Sequence, residues 1–116
     1  MSKILLVDDE KEFLNAIVAI VESELPDTEV FKANDGKYAW EQFQKVGPDL
    51  VITDYTMPKW NGADLVKAIH KENKNLPVIL ITGFAGKVET DLFTDVLLKP
   101  FKIEELIKFT KQHLHI

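Results

Sequence analysis

Five polar residues follow or end predicted buried strands, and their types suit phosphate and metal chemistry. The set consists of Asp8, Asp9, Asp54, Thr82 and Lys99. If the strands are parallel, their carboxyl ends meet at one edge of the sheet, and the five side chains meet there too. Three carboxylates held close together repel one another and require a cation. Mg²⁺ fits best, because it prefers oxygen ligands and leaves positions for a substrate phosphate. The lysine adds a positive charge, and the threonine adds a hydroxyl donor for a phosphoryl oxygen.

Each of these residues also has a simpler explanation. Asp9 with Glu12 resembles a helix capping box, and Asp54 would suit a turn. Thr82 is an ordinary strand residue, and Lys99 would by itself be read as a solvated lysine. All of these coincidences would have to fall at one edge of the same sheet. We therefore interpret the set as a functional site.

Composition limits the classes of protein that the chain could belong to. Its 116 residues are 46% hydrophobic, which predicts one globular domain over residues 1–116. The net charge of −5 argues against general binding to nucleic acid or to an anionic membrane. The absence of cysteine excludes disulfides and thiol chemistry. The apolar runs are too short for a signal peptide or a membrane span, so we expect a soluble, cytoplasmic protein.

Apolar runs alternate with amphipathic segments along the chain. The predicted strands cover residues 3–9, 28–33, 49–54, 77–82 and 95–98. Helical spacing of apolar residues lies between them and after Pro100. This alternation predicts right-handed crossovers and a parallel sheet covered on both faces. The predicted fold class is α/β, a flavodoxin-like doubly wound sheet of five parallel strands in the order 2-1-3-4-5.

The motifs at the strand ends resemble the receiver domain of two-component response regulators. They are the Asp8-Asp9 pair, DYTMP at 54–58 with Gly62 after it, Thr82, and KPF at 99–101. The resemblance extends over essentially the whole chain. It implies that Asp54 accepts a phosphoryl group from a phosphohistidine, while Lys99 contacts that group and Thr82 reports it.

The resemblance also implies a metal site and a backbone feature. Asp8, Asp9, Asp54 and the backbone carbonyl of Thr56 would hold Mg²⁺. The peptide bond before Pro100 would be cis. Because none of the three histidines lies at a predicted strand end, the phosphohistidine must come from a partner, a histidine kinase or a histidine phosphotransfer protein.

The chain departs from the receiver pattern at three places. Thr56 and Phe84 occupy the two positions that tune hydrolysis in the family, and our hypothesis is that the Phe84 ring restricts the attacking water. Val96 replaces the aromatic switch residue, and a valine cannot sweep the same volume. Phe93 is a candidate to replace that ring. Only residues 83–95 connect Thr82 to Val96, which predicts a short or irregular fourth helix.

We expect a stand-alone receiver that signals through phosphorylation-dependent contact with an unknown output protein, with a phosphorelay intermediate as a subtype. It would be a signalling domain that catalyses only its own phosphorylation and dephosphorylation. One alternative is a Mg²⁺-dependent aspartyl-phosphate phosphatase, but such enzymes carry a second acid where this chain has Thr56. Another is a degenerate receiver used only for binding, which the presence of all five site residues disfavours.

Overall fold

The computed structural model describes residues 1–83 and 89–116. The strands are β1 (Ser2–Val7), β2 (Thr28–Ala33), β3 (Leu50–Asp54), β4 (Val78–Thr82) and β5 (Asp95–Leu98). The α-helices of the described residues are α1 (Lys11–Glu24), α2 (Gly36–Val46), α3 (Gly62–Glu72) and α4 (Ile103–Leu114), and a 3₁₀ turn covers Thr90–Leu92.

The five strands form one parallel sheet in the order β2-β1-β3-β4-β5, which confirms the predicted fold class. The register pairs Val7 with Thr53 across β1 and β3, and Thr82 with Leu98 across β4 and β5. The strands therefore end together, and the residues that follow them share one edge.

The sheet is buried on both faces, as its continuous apolar strands predict. Ile4 and Leu6 of β1 point into a core closed by α1 and α4. Leu5 and Val7 of the same strand point into a second core closed by α2 and α3. The two cores fix the positions of the strands. The residues that follow β1, β3 and β5 form loops at the carboxyl edge of the sheet.

Helix starts differ in how they are capped. The Asp35 side chain accepts a hydrogen bond from the Tyr38 N–H at the start of α2. At α1 the residue before the helix is Glu10, whose side chain makes no capping hydrogen bond. The capping explanation for Asp9 is therefore wrong, and this aspartate remains available for other chemistry.

The connection from β4 to β5, where a short or irregular fourth helix is predicted, is described only at residue 83 and from residue 89 onward. In its described part a single 3₁₀ turn is followed by Phe93, which is 8% exposed and packs into the core beside α3. Thr94 then pairs with Val78, its N–H donating to the Val78 carbonyl and its hydroxyl accepting from the Val78 N–H. Phe93 thus contributes to the core on the α2–α3 side of the sheet, and the Thr94–Val78 hydrogen bonds extend the pairing of β4 with β5.

Candidate functional site

The three aspartates converge at the carboxyl edge of the sheet. Asp8 follows β1 and is 4% exposed, Asp9 lies next to it at the surface, and Asp54 ends β3. One carboxylate oxygen from each lies within 4.8 Å of those of the other two. In an octahedral Mg²⁺ site with bonds of about 2.1 Å, adjacent ligand oxygens lie about 3.0 Å apart and opposite ones about 4.2 Å apart. Small side-chain shifts would therefore bring this set of hard oxygen donors to the geometry that Mg²⁺ requires.

Lys99 brings a positive charge to the same edge from β5. Its Nζ lies 3.2 Å from Oδ2 of Asp8 and 3.6 Å from Oδ2 of Asp54. Its backbone N–H donates to the carbonyl of Thr82, and the Lys99–Pro100 peptide bond is cis. With a side chain only 23% exposed, the ammonium is directed toward the carboxylates rather than toward bulk water.

Burial and neighbouring charges shift the pKa values of Asp54 and Lys99. Desolvation raises the pKa of Asp54 to about 6, and the neighbouring Asp8 and Asp9 carboxylates raise it as well. Lys99 and the Tyr55 N–H, which donates to Asp54 Oδ1 at 2.8 Å, oppose that rise. Desolvation would lower the pKa of Lys99, but Asp54 and Asp8 outweigh it and the pKa is raised.

The loop after Asp54 is tightly closed by Gly62. Its N–H donates to the Tyr55 carbonyl at 2.6 Å, and a Cβ added at Gly62 would lie 2.7 Å from the Asp54 carbonyl oxygen. Glycine is required here by close backbone approach. The glycine after the DYTMP motif therefore fixes the backbone that carries Asp54.

Phe13 is a site residue that the sequence alone did not identify. Lys99 Nζ lies 4.4 Å from the centroid of the Phe13 ring, and Phe101 packs against that ring at nearly a right angle. Helical spacing marks Phe13 only as part of the core-facing stripe of α1. A first-turn side chain leans toward the helix N-terminus, however, and this lean could have indicated its nearness to the Asp8 edge.

The structure describes three of the four remaining predicted site residues. Thr82 is buried at the end of β4, and Thr56 is exposed in the loop after β3. Val96 pairs with Leu80 and packs against the core beside α3. Phe84 lies outside the described residues, so its tuning role stays a prediction.

Phe93 is not placed to act as a ring beside Thr82. Its neighbour Thr94 pairs with Val78, at the start of β4, whereas Thr82 ends that strand four residues later. Four residues of strand span about 13 Å. A relay between Phe93 and Thr82 is therefore not supported.

The histidines lie apart from this edge. His113 pairs with Asp95, which begins β5 at the opposite end from Lys99, and both side chains are partly buried. His70 is also partly buried, with Nε2 3.0 Å from the Leu76 carbonyl, and His115 is exposed.

The fold and the edge geometry agree with the receiver pattern that the sequence motifs suggest. A family model described as the response regulator receiver domain matches residues 4–111. The chain therefore belongs to the response regulator receiver family, whose members work in two-component signal transduction.

The relatives include proteins of about the length of this chain and longer proteins that the chain covers only in part. The chain is 37% identical over 105 residues to the chemotaxis protein CheY1 of Helicobacter pylori, covering 84% of this chain and 85% of that protein. It is 31% identical over 110 residues to the transcriptional regulatory protein TrcR of Mycobacterium tuberculosis, covering 90% of this chain. The chain spans only 42% of the length of TrcR.

A solved structure gives the same fold. The response regulator protein TrrA of Thermotoga maritima superimposes with a TM-score of 0.82 at 28% identity, covering 97% of this chain and 99% of that one. No helix among the residues that the structure describes has the length and apolar content needed to cross a membrane.

Proposed function

We propose that this receiver domain accepts a phosphoryl group on Asp54 from the phosphohistidine of a histidine kinase or a histidine phosphotransfer protein. The observation that carries the proposal is the convergence of Asp54 with Asp8, Asp9 and Lys99 at one sheet edge. In the described part of the chain, β1, β3 and β5 are followed at this edge by the loops 8–10, 55–61 and 99–102, between which a partner's histidine can approach.

Asp54 is the nucleophile in the proposed reaction. Its carboxylate oxygen forms the new bond to phosphorus while the P–N bond of the phosphohistidine breaks. The electron pair of that bond stays on the imidazole, which takes up a proton from solvent. No general base is needed, because Asp54 is ionised above its pKa of about 6.

Lys99 and the acid pair supply the electrostatic environment. The Lys99 ammonium already lies between Asp8 and Asp54, so it needs only a small shift to contact a phosphoryl oxygen bound to Asp54. Asp8, Asp9, Asp54 and the carbonyl of Thr56 would hold a Mg²⁺ ion. When bound, the ion would neutralise charge on the phosphoryl oxygens. The structure of TrrA, described as a complex with Mg²⁺-BeF, supports the choice of metal.

Signal output in this proposal proceeds by contact with another protein. Thr82 is buried beside the site and would respond to the phosphoryl group. The next residue of a family relay would be an aromatic side chain at position 96, and Val96 cannot rotate in that way. The output surface of this chain therefore differs from the family pattern. A phosphorelay intermediate, which passes the group to a further histidine, is compatible with the same chemistry.

Intact mass spectrometry after incubation with acetyl phosphate and Mg²⁺ tests the proposal. We expect a single labile phosphoryl adduct on the wild-type protein and none on Asp54→Asn. The matched control is Asp27→Asn, which removes the same charge at an exposed residue before β2 and should leave the adduct intact.

Other outcomes identify the alternative functions. Continuous release of phosphate from small phosphate esters would favour the phosphatase. Absence of an adduct on wild type, with Mg²⁺ bound or not, would contradict the proposal and favour a module used only for binding. An adduct that persists in Asp54→Asn would place the acceptor elsewhere.

A further inference from the structure

We propose that Phe13 is a positioning residue that holds the Lys99 ammonium over the phosphorylation site through a cation–π contact. This inference rests on the proposed function of Asp54 and extends it to a residue on another element. The first turn of α1 would then help to position Lys99, in addition to packing against the core.

The geometry of the contact is favourable. Lys99 Nζ lies 4.4 Å from the Phe13 ring centroid, inside the distance of about 6 Å at which such contacts are effective. The lysine side chain is 23% exposed, so water competes only in part for the ammonium. A partly desolvated ammonium gains more from a ring face than an exposed one does.

The ring itself is fixed from two sides. Phe13 lies partly buried in α1 and packs against the core that α1 and α4 close. Phe101 stands against it with ring centroids 6.2 Å apart and an angle of 89° between the ring planes. Because Phe101 belongs to the same loop as Lys99 and Pro100, the ring pair joins α1 directly to the segment that carries the lysine.

Phe13 provides a contact that phosphoryl transfer does not alter. Among the residues that the structure describes, the ammonium also pairs with Asp8 and Asp54, and the charge on Asp54 changes when it receives the phosphoryl group. The ring carries no formal charge, so the charge of the contact itself does not depend on whether Asp54 is phosphorylated. An aliphatic side chain of similar size would fill the space without attracting the charge.

The test compares initial rates of acyl-phosphate formation from acetyl phosphate at saturating Mg²⁺. We expect Phe13→Leu to react about three- to tenfold more slowly than wild type. Phe13→Tyr, which keeps the ring face, should stay within about twofold of wild type. A ring-fluorinated phenylalanine at position 13 keeps the shape but weakens the ring quadrupole, and it should slow the reaction as Phe13→Leu does.

Two further measurements separate positioning from packing. Phe109→Leu is the matched control, because Phe109 of α4 is also partly buried against the same core and should react at the wild-type rate. In a Lys99→Met background, Phe13→Leu should cause no further loss, since the ring would have no ammonium to hold. By NMR, the ring-current shift of the Lys99 side-chain protons in wild type should disappear in Phe13→Leu.

An adduct on wild type with an unchanged rate in Phe13→Leu overturns the inference while leaving the proposed function intact. It is also overturned if fluorination has no effect, or if Phe109→Leu is as slow as Phe13→Leu. A wild-type protein that forms no adduct overturns the proposed function, and the positioning role fails with it.

Discussion

At the scale of single residues, the sequence indicates which side chains belong to the site more readily than how deeply each of them is buried. Asp8, Asp9 and Asp54 were identified because each follows or ends a strand, and strand ends can be read from apolar runs. Their different burial, with Asp8 buried and Asp9 exposed, depends on how the loops fold over the edge. The contact between Phe13 and Lys99 joins opposite ends of the chain, so it required the three-dimensional packing of α1 against the loop after β5.

The raised pKa of Asp54 predicts a pH-dependent cost to stability in the absence of metal. The pKa is 3.8 for the ordinary group and about 6 in the folded protein, so the folded state binds the proton more tightly. The favourable contribution of the protonated group is complete below pH 3.8 and is lost as the pH rises through 6. Metal-free Asp54→Asn should therefore be more stable than wild type at pH 7.5 by about 1–3 kcal/mol.

Urea denaturation in the presence of a chelator measures this difference. The gap between Asp54→Asn and wild type should close as the pH approaches 4, where both side chains are neutral. Asp27→Asn removes an exposed carboxylate and should show no comparable gap at pH 7.5. Equal stability of wild type and Asp54→Asn at pH 7.5 would show that the Asp54 carboxylate is not destabilised by its surroundings.

At the scale of elements, apolar periodicity predicted the strands to within one or two residues. β2 and β5 have the predicted bounds, and β3 and β4 each begin one residue later than expected. The start of α1 was less predictable, since the helix begins at Lys11 without the side-chain cap that Asp9 suggested. The length of the chain between Thr82 and Val96 indicated a reduced fourth helix, but it gave no sign that Phe93 covers the core there.

The loop that follows Asp54, residues 55–61, contacts the start of α2, and Gly36 makes that contact possible. A Cβ at Gly36 would lie 2.1 Å from the Trp60 carbonyl oxygen and 2.6 Å from Trp60 Cβ. Trp60 also stacks on Trp40 with ring centroids 6.2 Å apart, and Lys59 pairs with Asp35 at 3.8 Å. Because the nearest colliding atom is the backbone carbonyl oxygen of Trp60, Gly36→Ala should destabilise the protein by about 1–3 kcal/mol, despite the better helix propensity of alanine.

Denaturation followed by far-UV circular dichroism gives the loss in stability. The near-UV spectrum reports the contact itself, because both tryptophans of the chain belong to this stacked pair. Lys37→Ala, at the next position of α2 and exposed, should change stability by less than about 0.5 kcal/mol. If Gly36→Ala proved as stable as wild type with an unchanged near-UV spectrum, the contact between the loop and α2 would not require glycine at position 36.

At the scale of the whole molecule, the residues that stabilise the fold and the residues of the candidate site lie in different parts of the structure. The two cores on either side of the sheet contain the apolar residues, while the carboxylates and Lys99 gather at the loop-covered edge. Within residues 1–83 and 89–116, three carboxylates there are matched by the Lys99 ammonium, so these groups together keep an excess of negative charge when all are ionised. A divalent cation that binds this edge would stabilise the folded state as a whole.

Thermal unfolding with and without Mg²⁺ measures that stabilisation. At pH 7.5 and a concentration ten times the dissociation constant, the metal should add about 1.4 kcal/mol, since it binds only the folded chain. At pH 5 a proton competes for Asp54, whose pKa is about 6, so the same concentration should add only about 0.4 kcal/mol. Asp27→Asn should behave as wild type, and Asp54→Asn should lose most of the metal effect at both pH values. A Mg²⁺ effect of equal size at pH 5 and 7.5 in wild type would show that the ion binds without Asp54.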